Sequence, residues 1–330
     1  MVVKLSLSQL LAQAEAGTLT AEAAGRYFLP DDAAGTPFEP AVRFNPKTVN
    51  VTALRGSASV LASALARDIG RSSATLRHAV PGPFFARKAV TSGEAIAAAE
   101  AGATILAEGD SWFDLPFIYP RTLVDFLGER HAVVTLAQWG DTLEGMIAAK
   151  QFVKPLRTKA FKHFLFSGGG NDIVGGGKLE LFLRQFDVGH ADPSDASWYI
   201  NDLFVDALDR VMGHYRELLK IVVRELPKTK LVIHGYDYVI PQQNGHWLGN
   251  AMTFRGLDPV YKAPLCKAVI KVMIDAFNSR LKQFADGSSG AVIYVDLRKK
   301  AHADDWFDEL HARENATKRF AAAFEQAIGS

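Results

Sequence analysis

From about residue 100 onward, short apolar runs rich in β-branched and aromatic residues alternate with longer segments whose apolar positions recur at helical spacing. The runs Ala103–Ala107 (ATILA), Ala132–Leu136 (AVVTL), His163–Ser167 (HFLFS), Leu231–Gly235 (LVIHG) and Ala291–Val295 (AVIYV) predict five strands. Between and after them the spacing predicts helices at Thr122–Arg130, Leu143–Phe152, Phe204–Leu226, Leu265–Ala285 and Glu314–Ile328. In the third helix Phe204, Leu208, Val211, Tyr215, Leu218 and Val222 fall on one stripe, as a helix lying on a sheet requires. Strands that alternate with helices imply an α/β fold, a parallel sheet covered by helices in three layers.

Two stretches break the alternation, Gly175–Asn201 and Pro241–Ala263, the second rich in Gly, Gln, Asn and aromatic residues. Long irregular loops in open α/β sheets lie on the rim where ligands bind, so both are expected to wall a substrate site. Residues 1–99 read differently. Ala-rich helical patterns near Leu5–Ala16, Ala21–Tyr27, Ala58–Ile69 and Gly93–Glu100 are separated by loops around Pro30–Pro46 and Pro81–Pro83, with no clear strand. The expectation is a helical accessory region over 1–99 and a catalytic domain over 100–330.

Composition narrows the function classes. With 48% hydrophobic and 22% charged residues the chain has ample material for a core. Its 37 Lys and Arg against 36 Asp and Glu leave a net charge of +1, so no global field draws it to nucleic acid or anionic lipid. No stretch reaches the ~18 unbroken apolar residues of a membrane span. The opening MVVKLSLSQLLAQAEAG is interrupted by Ser6, Ser8 and Gln9 and reads as an amphipathic helix rather than a cleaved signal peptide, leaving cytoplasm as the default location. Export by a route without a cleaved signal stays open. The single cysteine, Cys266, cannot form an internal disulfide and reads as a small buried hydrophobe.

The chemistry begins directly after the first predicted strand, at Glu108-Gly109-Asp110-Ser111-Trp112. A serine at the carboxyl end of a central strand is well placed for nucleophilic attack, but its hydroxyl needs a histidine base and a group that orients the histidine. Asp308 and His311 supply that pair in Asp305-Trp306-Phe307-Asp308-Glu309-Leu310-His311, just before the last helix, with a three-residue spacing that places both on one face. Attack creates an oxyanion, and donors aimed at it come from two glycine-marked turns after the second and third strands, Gln138-Trp139-Gly140-Asp141 and Gly169-Gly170-Asn171-Asp172. The backbone N–H groups of Ser111 and Gly140 and the side-chain amide of Asn171 are the expected oxyanion hole.

Gly109-Asp110-Ser111, the isolated Gly140, Gly169-Gly170-Asn171-Asp172 and Asp308-Glu309-Leu310-His311, taken in this order, resemble the SGNH hydrolases, also called the GDSL esterase/lipase family. The resemblance covers roughly residues 100–330. It implies a flavodoxin-like five-stranded parallel sheet, a triad of Ser111, Asp308 and His311, oxyanion donors from Ser111, Gly140 and Asn171, no cofactor and no metal. It also implies substrates among lipids, simple esters and acylated sugars. Trp112 departs from the family's usual leucine after the serine, which leaves the triad intact and changes the lining of the cleft.

Competing readings are weaker. Asp187 and His190 repeat the Asp-x-x-His spacing, but within the first irregular segment. Ser167 lacks the surrounding turn of a nucleophile elbow. The glycines at 168–170 and 175–177 do not make a phosphate loop, because positions 172 and 179 are Asp and Leu where a Walker A motif needs Gly and Ser or Thr. His234, His246 and His302 show no metal-ligand spacing. Trp139, Trp198, Trp247, Trp306, Met252 and Phe254 read as packing residues before they read as acyl-site contacts. The expected function is hydrolysis of a small-molecule or lipid ester through an acyl-enzyme. The alternatives are deacylation or acyl transfer on a glycan or cell-wall polymer, suggested by the polar loop Gln242-Gln243-Asn244-Gly245, and a non-catalytic binding protein that keeps the fold. Oligomeric state is left open.

Overall fold

A computed structural model describes residues 4–16, 18–19, 25–31, 42–50, 62, 65–66, 87–88, 91–115, 120–175, 178–226 and 228–329. Near the start, strand β1 (Leu5–Ser6) leads into helix α1 (Leu7–Glu15), where the Ser6 side chain accepts the Gln9 amide as an N-cap. Strands β2 (Phe28–Pro30) and β3 (Val42–Phe44) pair antiparallel, and β1 pairs parallel with β4 (Val49–Asn50). Leu10, Phe28, Val42, Phe44 and Val49 gather into a small core of their own. The purely helical expectation for residues 1–99 is therefore corrected: the expected helices at Leu5–Ala16 and Gly93–Glu100 form, as Leu7–Glu15 and Ser92–Glu100, but they are joined by short strands two or three residues long, too short to leave a period-2 pattern. The expected helix at Ala58–Ile69 lies largely outside the described residues, as does most of Ala21–Tyr27.

The main sheet is parallel throughout and begins earlier than residue 100. Strand β5 (Arg87–Lys88) forms its edge, and helix α2 (Ser92–Glu100), with a Thr91–Glu94 capping box, packs onto the same body. Five further strands follow, β6 (Ile105–Glu108), β7 (Val133–Thr135), β8 (His163–Phe166), β9 (Lys230–His234) and β10 (Val292–Val295), in the order β10-β9-β8-β6-β7-β5. The five strands read from the sequence are all present in flavodoxin-like order, and the sixth, β5, is added beside β7.

Side-chain alternation divides two cores between the sheet faces. Leu106, Val134, Phe164, Phe166, Leu231 and Ile233 face one, while Ile105, Ala107, Val133, Leu165 and Val232 face the other. Helix α3 (Leu123–Leu127) precedes β7 and covers the second face, where Phe126 and Leu127 are buried. Helices α4 (Leu143–Ala149), α5 (Val153–Leu156) and, after β8, α6 (Gly170–Val174) and α7 (Leu179–Phe182) belong to the first. The long helix α8 (Asp202–Glu225), capped by Asn201, buries Phe204, Leu208, Val211, Tyr215, Leu218 and Val222 against it, the stripe read from the sequence. After β9 come α9 (Gly249–Phe254) and α10 (Ala263–Asp286) on the first face, then α11 (Glu314–Ile328) on the second beside α3. Two 3-10 turns, Val188–His190 and Pro193–Tyr199, occupy the first irregular segment.

Candidate active site

The crevice at the carboxyl ends of β6, β7, β8 and β9 holds the candidate chemistry. Strand β6 runs into a turn where Gly109 lies against the end of β8, and a Cβ there would sit 2.7 Å from the Ser167 Cβ and 2.8 Å from its carbonyl oxygen. Glycine lets the two strand ends approach closely and delivers Ser111 to the crevice. Asp110 is the internal anchor of that turn. Its buried carboxylate accepts the Ser167 hydroxyl at 2.7 Å, the Tyr236 hydroxyl at 2.6 Å and the Trp112 amide at 3.1 Å.

The loop before α11 carries His311 to Ser111. His311 Nε2 lies 2.9 Å from Ser111 Oγ, and Nδ1 lies 2.7 Å from Asp308 Oδ2. The Asp308 carboxylate accepts and does not donate, so Nδ1 carries the proton and Nε2 is the acceptor facing the serine hydroxyl. Asp308 Oδ1 takes the backbone N–H groups of Leu310 and His311 at 2.8 and 2.7 Å. Burial opposes the charge on Asp308, yet His311 and these two amides hold its carboxyl below the usual aspartate value. Ser111, His311 and Asp308 thus lie in hydrogen-bonded series, with Ser111 1% exposed and His311 3%.

Gly140 and Gly169 have φ of +88° and +101°, conformations that admit glycine readily and side chains at a penalty. The two turns they shape are knitted together. Asn171 Nδ2 donates to the Asp141 carbonyl at 2.7 Å, and the Asp172 carboxylate accepts the Leu143 and Glu144 amides at 2.8 and 3.2 Å, capping α4. The N–H groups of Ser111 and Gly140 donate to no acceptor among the described residues. The buried Asn171 Oδ1 has no partner there either. The structure therefore brings Ser111, His311 and Asp308 into direct contact, ties the Asn171 and Gly140 turns to each other, and leaves backbone donors unengaged at the same end of the sheet.

Several residues that serve this site were not read from the sequence. Tyr236 follows β9, and its hydroxyl accepts the Gly170 amide at 3.0 Å while donating to Asp110, so it joins the Ser111 turn to the Asn171 turn. Burial, reinforced by Asp110, keeps that hydroxyl protonated by raising its pKa well above the ordinary tyrosine value. Two carboxylates brace the loops around the triad. Asp237, 1% exposed, accepts the amides of Tyr238, Lys299, Lys300 and Ala301 at 2.6–2.9 Å. Glu309, 2% exposed, accepts those of Gln242, Trp247, Leu248 and Gly249 at 2.8–3.0 Å. A signal for Tyr236 and Asp237 existed: both follow a central strand at its carboxyl end, as Ser111, Gly140 and Asn171 do.

The rival residues take structural places. Ser167 Oγ is bonded to Asp110, and the Asp187 side chain accepts the Gly189 amide at 2.8 Å. His190 stacks on Trp198 with centroids 4.2 Å apart. His234 is buried between Trp112 and Phe113, its Nδ1 2.9 Å from the Gly235 carbonyl, and burial lowers its pKa. His246 and His302 are exposed. No group of three His, Cys, Asp or Glu able to hold a metal occurs among the described residues. Cys266 is buried, and burial pushes its thiol up to about 12.

Two hollows share Trp112 as a wall. The smaller, about 280 Å³ counted out to its mouth, is lined by Ser111, His311, Arg121, Thr122, Thr317 and Phe320 among others. The larger, about 600 Å³ on the same measure, is lined by apolar side chains that include Val174, Phe204, Leu248, Met273 and Leu310. Of the second irregular segment only Leu248 lines this cleft, and none of the described residues of Gly175–Asn201 does, the nearest lining residues in the chain being Ile173 and Val174 of α6. Met252 is fully buried and Phe254 is 67% exposed; neither lines either hollow.

No family model matches the chain, and no curated protein matches it. Among solved structures, it is similar to a lipase from a goat rumen metagenome at 14% identity and a TM-score of 0.45, over 68% of this chain and 97% of that one. An extracellular lipase from Streptomyces rimosus is similar at 13% identity and a TM-score of 0.45, over 68% and 99%. A carbohydrate esterase family 3 protein from Talaromyces cellulolyticus is similar at 13% identity and a TM-score of 0.40, over 69% and 98%. Among the described residues no helix is long and apolar enough to cross a membrane.

Proposed function

We propose that this protein hydrolyses carboxylic esters through an acyl-enzyme formed on Ser111. The observation that carries the proposal is the unbroken series Ser111 Oγ, His311 Nε2, His311 Nδ1 and Asp308 Oδ2, linked at 2.9 and 2.7 Å. Ser111 attacks the ester carbonyl as His311 takes its proton, and the developing charge on the imidazole is held by Asp308. The oxyanion collects donors from the Ser111 and Gly140 amides and from the second Asn171 Nδ2 hydrogen, the one not given to Asp141. His311 then returns the proton to the leaving alcohol. A water activated by the same base releases the acid and restores the serine.

The test is turnover of a p-nitrophenyl ester series by wild type, Ser111→Ala, His311→Ala and the double variant. Each single variant is expected to lose several orders of magnitude in kcat, and the double variant little more, because the residues act as a unit. An unchanged rate in Ser111→Ala refutes the assignment. The glycan-deacylation alternative rests on the polar Gln242–Gly245 loop, of which the Gln242 amide holds Glu309 while the Gln243 and Asn244 side chains are exposed. Release of acetate from acetylated glycans is the assay that separates the two substrate classes.

A further inference from the structure

The larger hollow lies beside the nucleophile yet is not the place where His311 works. His311 must hand its proton to the leaving oxygen, so the alcohol part of an ester belongs on the side that Ser111 and His311 line together, the smaller hollow with its polar Arg121 and Thr122. Trp112, the residue next to Ser111, separates that side from the larger cleft and forms a wall of both. Leu310, next to His311 in the chain, and Gly170, next to Asn171, line the cleft together with Trp112. A chain leaving the acyl carbon on the side away from the leaving group therefore meets this cleft.

The lining fixes the chemistry of the occupant. Side chains from α6, α8 and α10 supply Ile173, Val174, Phe204, Ile270, Met273 and Ile274. Two polar side-chain groups border it, the Trp112 indole and the Tyr236 hydroxyl, and the hydroxyl is already bonded to Asp110 and Gly170. A sugar or charged group buried there would leave its own donors and acceptors without partners, whereas methylenes leave water at a gain. We infer that the cleft bounded by Trp112, Val174, Leu248 and Ile274 holds the aliphatic acyl chain of the substrate, and that the protein selects acyl groups longer than acetyl.

This inference rests on the ester-hydrolase reading and is tested so that the two fail separately. Wild-type kcat/KM is measured for p-nitrophenyl acetate, butyrate, hexanoate and octanoate, and for acetate esters of alcohols of growing length. Each acyl methylene buried is expected to raise kcat/KM by up to about fourfold, with no comparable rise in the alcohol series. Val174→Phe and Ile274→Phe, both at half-buried positions on the cleft wall, are expected to lower the octanoate-to-acetate ratio at least tenfold. Val223→Phe, on an exposed position of α8, keeps the wild-type ratio, and thermal unfolding checks that all variants are folded. A flat or acetate-favouring acyl series, a gain confined to the alcohol series, or a ratio untouched by both cleft variants overturns the inference while leaving the esterase intact. No turnover of any ester overturns both.

Discussion

Glu108, the last residue of β6, is 3% exposed and directly precedes Gly109-Asp110-Ser111. Burial, with Asp141 adding to it and the Gly109 amide pulling the other way, raises its carboxyl from 4.5 to about 8. At pH 7 the folded chain therefore holds a neutral acid where the unfolded chain carries a carboxylate. At about 1.36 kcal/mol per pH step, carrying the ionisation from 4.5 to about 8 amounts to about 5 kcal/mol. The folded state keeps a proton that the unfolded state gives up, so this contribution is full below the unfolded value of 4.5, falls as pH rises, and is gone once pH passes about 8.

Glu108→Gln keeps the shape of the side chain and removes its charge from both states. The assay is urea unfolding of wild type and variant at pH 6, 7, 8 and 9, taken as the difference between them, in which the other titrating groups cancel. Relative to wild type, the variant is expected to gain about 3 kcal/mol between pH 6 and pH 9, most of it below pH 8. Parallel curves across that range refute the argument, because they mean that burial is not opposing the charge on Glu108.

Three further outcomes follow from the hydrogen bonds of the site. Asn171→Ala is expected to lower kcat roughly 10²–10³-fold with little change in KM, since the lost donor acts on the oxyanion; an unchanged kcat removes Asn171 from that role. Tyr236→Phe strips a partner from both Asp110 and the Gly170 amide and is expected to lower stability by about 1–3 kcal/mol and kcat with it; equilibrium unfolding and steady-state rates measure the two effects. Glu309→Ala leaves four amides without an acceptor, those of Leu248 and Gly249 buried, and is expected to lower stability by about 3 kcal/mol, with Glu309→Gln recovering part of it.

The strands were legible because most of their residues are buried on both faces, β10 with its half-buried Ile293 and Tyr294 least so. ATILA, AVVTL, HFLFS, LVIHG and AVIYV have no polar face to confuse the reading, and each strand forms within two residues of its expected bounds. Strand β5 was not legible: two residues at a sheet edge carry no period, although they place one strand of the main sheet before residue 100. Ser111 announces itself by residue type and by position after a strand, and Asp308 and His311 by their three-residue spacing just before the last helix. Asp237 and Glu309 do not, because their partners are backbone amides, which every sequence possesses and none displays. Trp112 was noticed as a departure after the serine, but its place between two hollows depends on packing against His234, Tyr236 and Phe320.

The Glu309 brace also sets which parts of the rim are open to evolutionary change. A Cβ on Gly245 would lie 2.0–2.2 Å from the Glu309 carboxyl atoms, and one on Gly249 would lie 1.8 Å from the Gln242 carbonyl oxygen. Substitution at either glycine, or a one-residue shift between them, would break the fit of four amides around one carboxylate. Between the pinned points, Gln243 and Asn244 are exposed and their side chains make no contact with that carboxylate. Changes of side chain at this edge are therefore expected to enter at residues 243–244, leaving Asp308 and His311 in register.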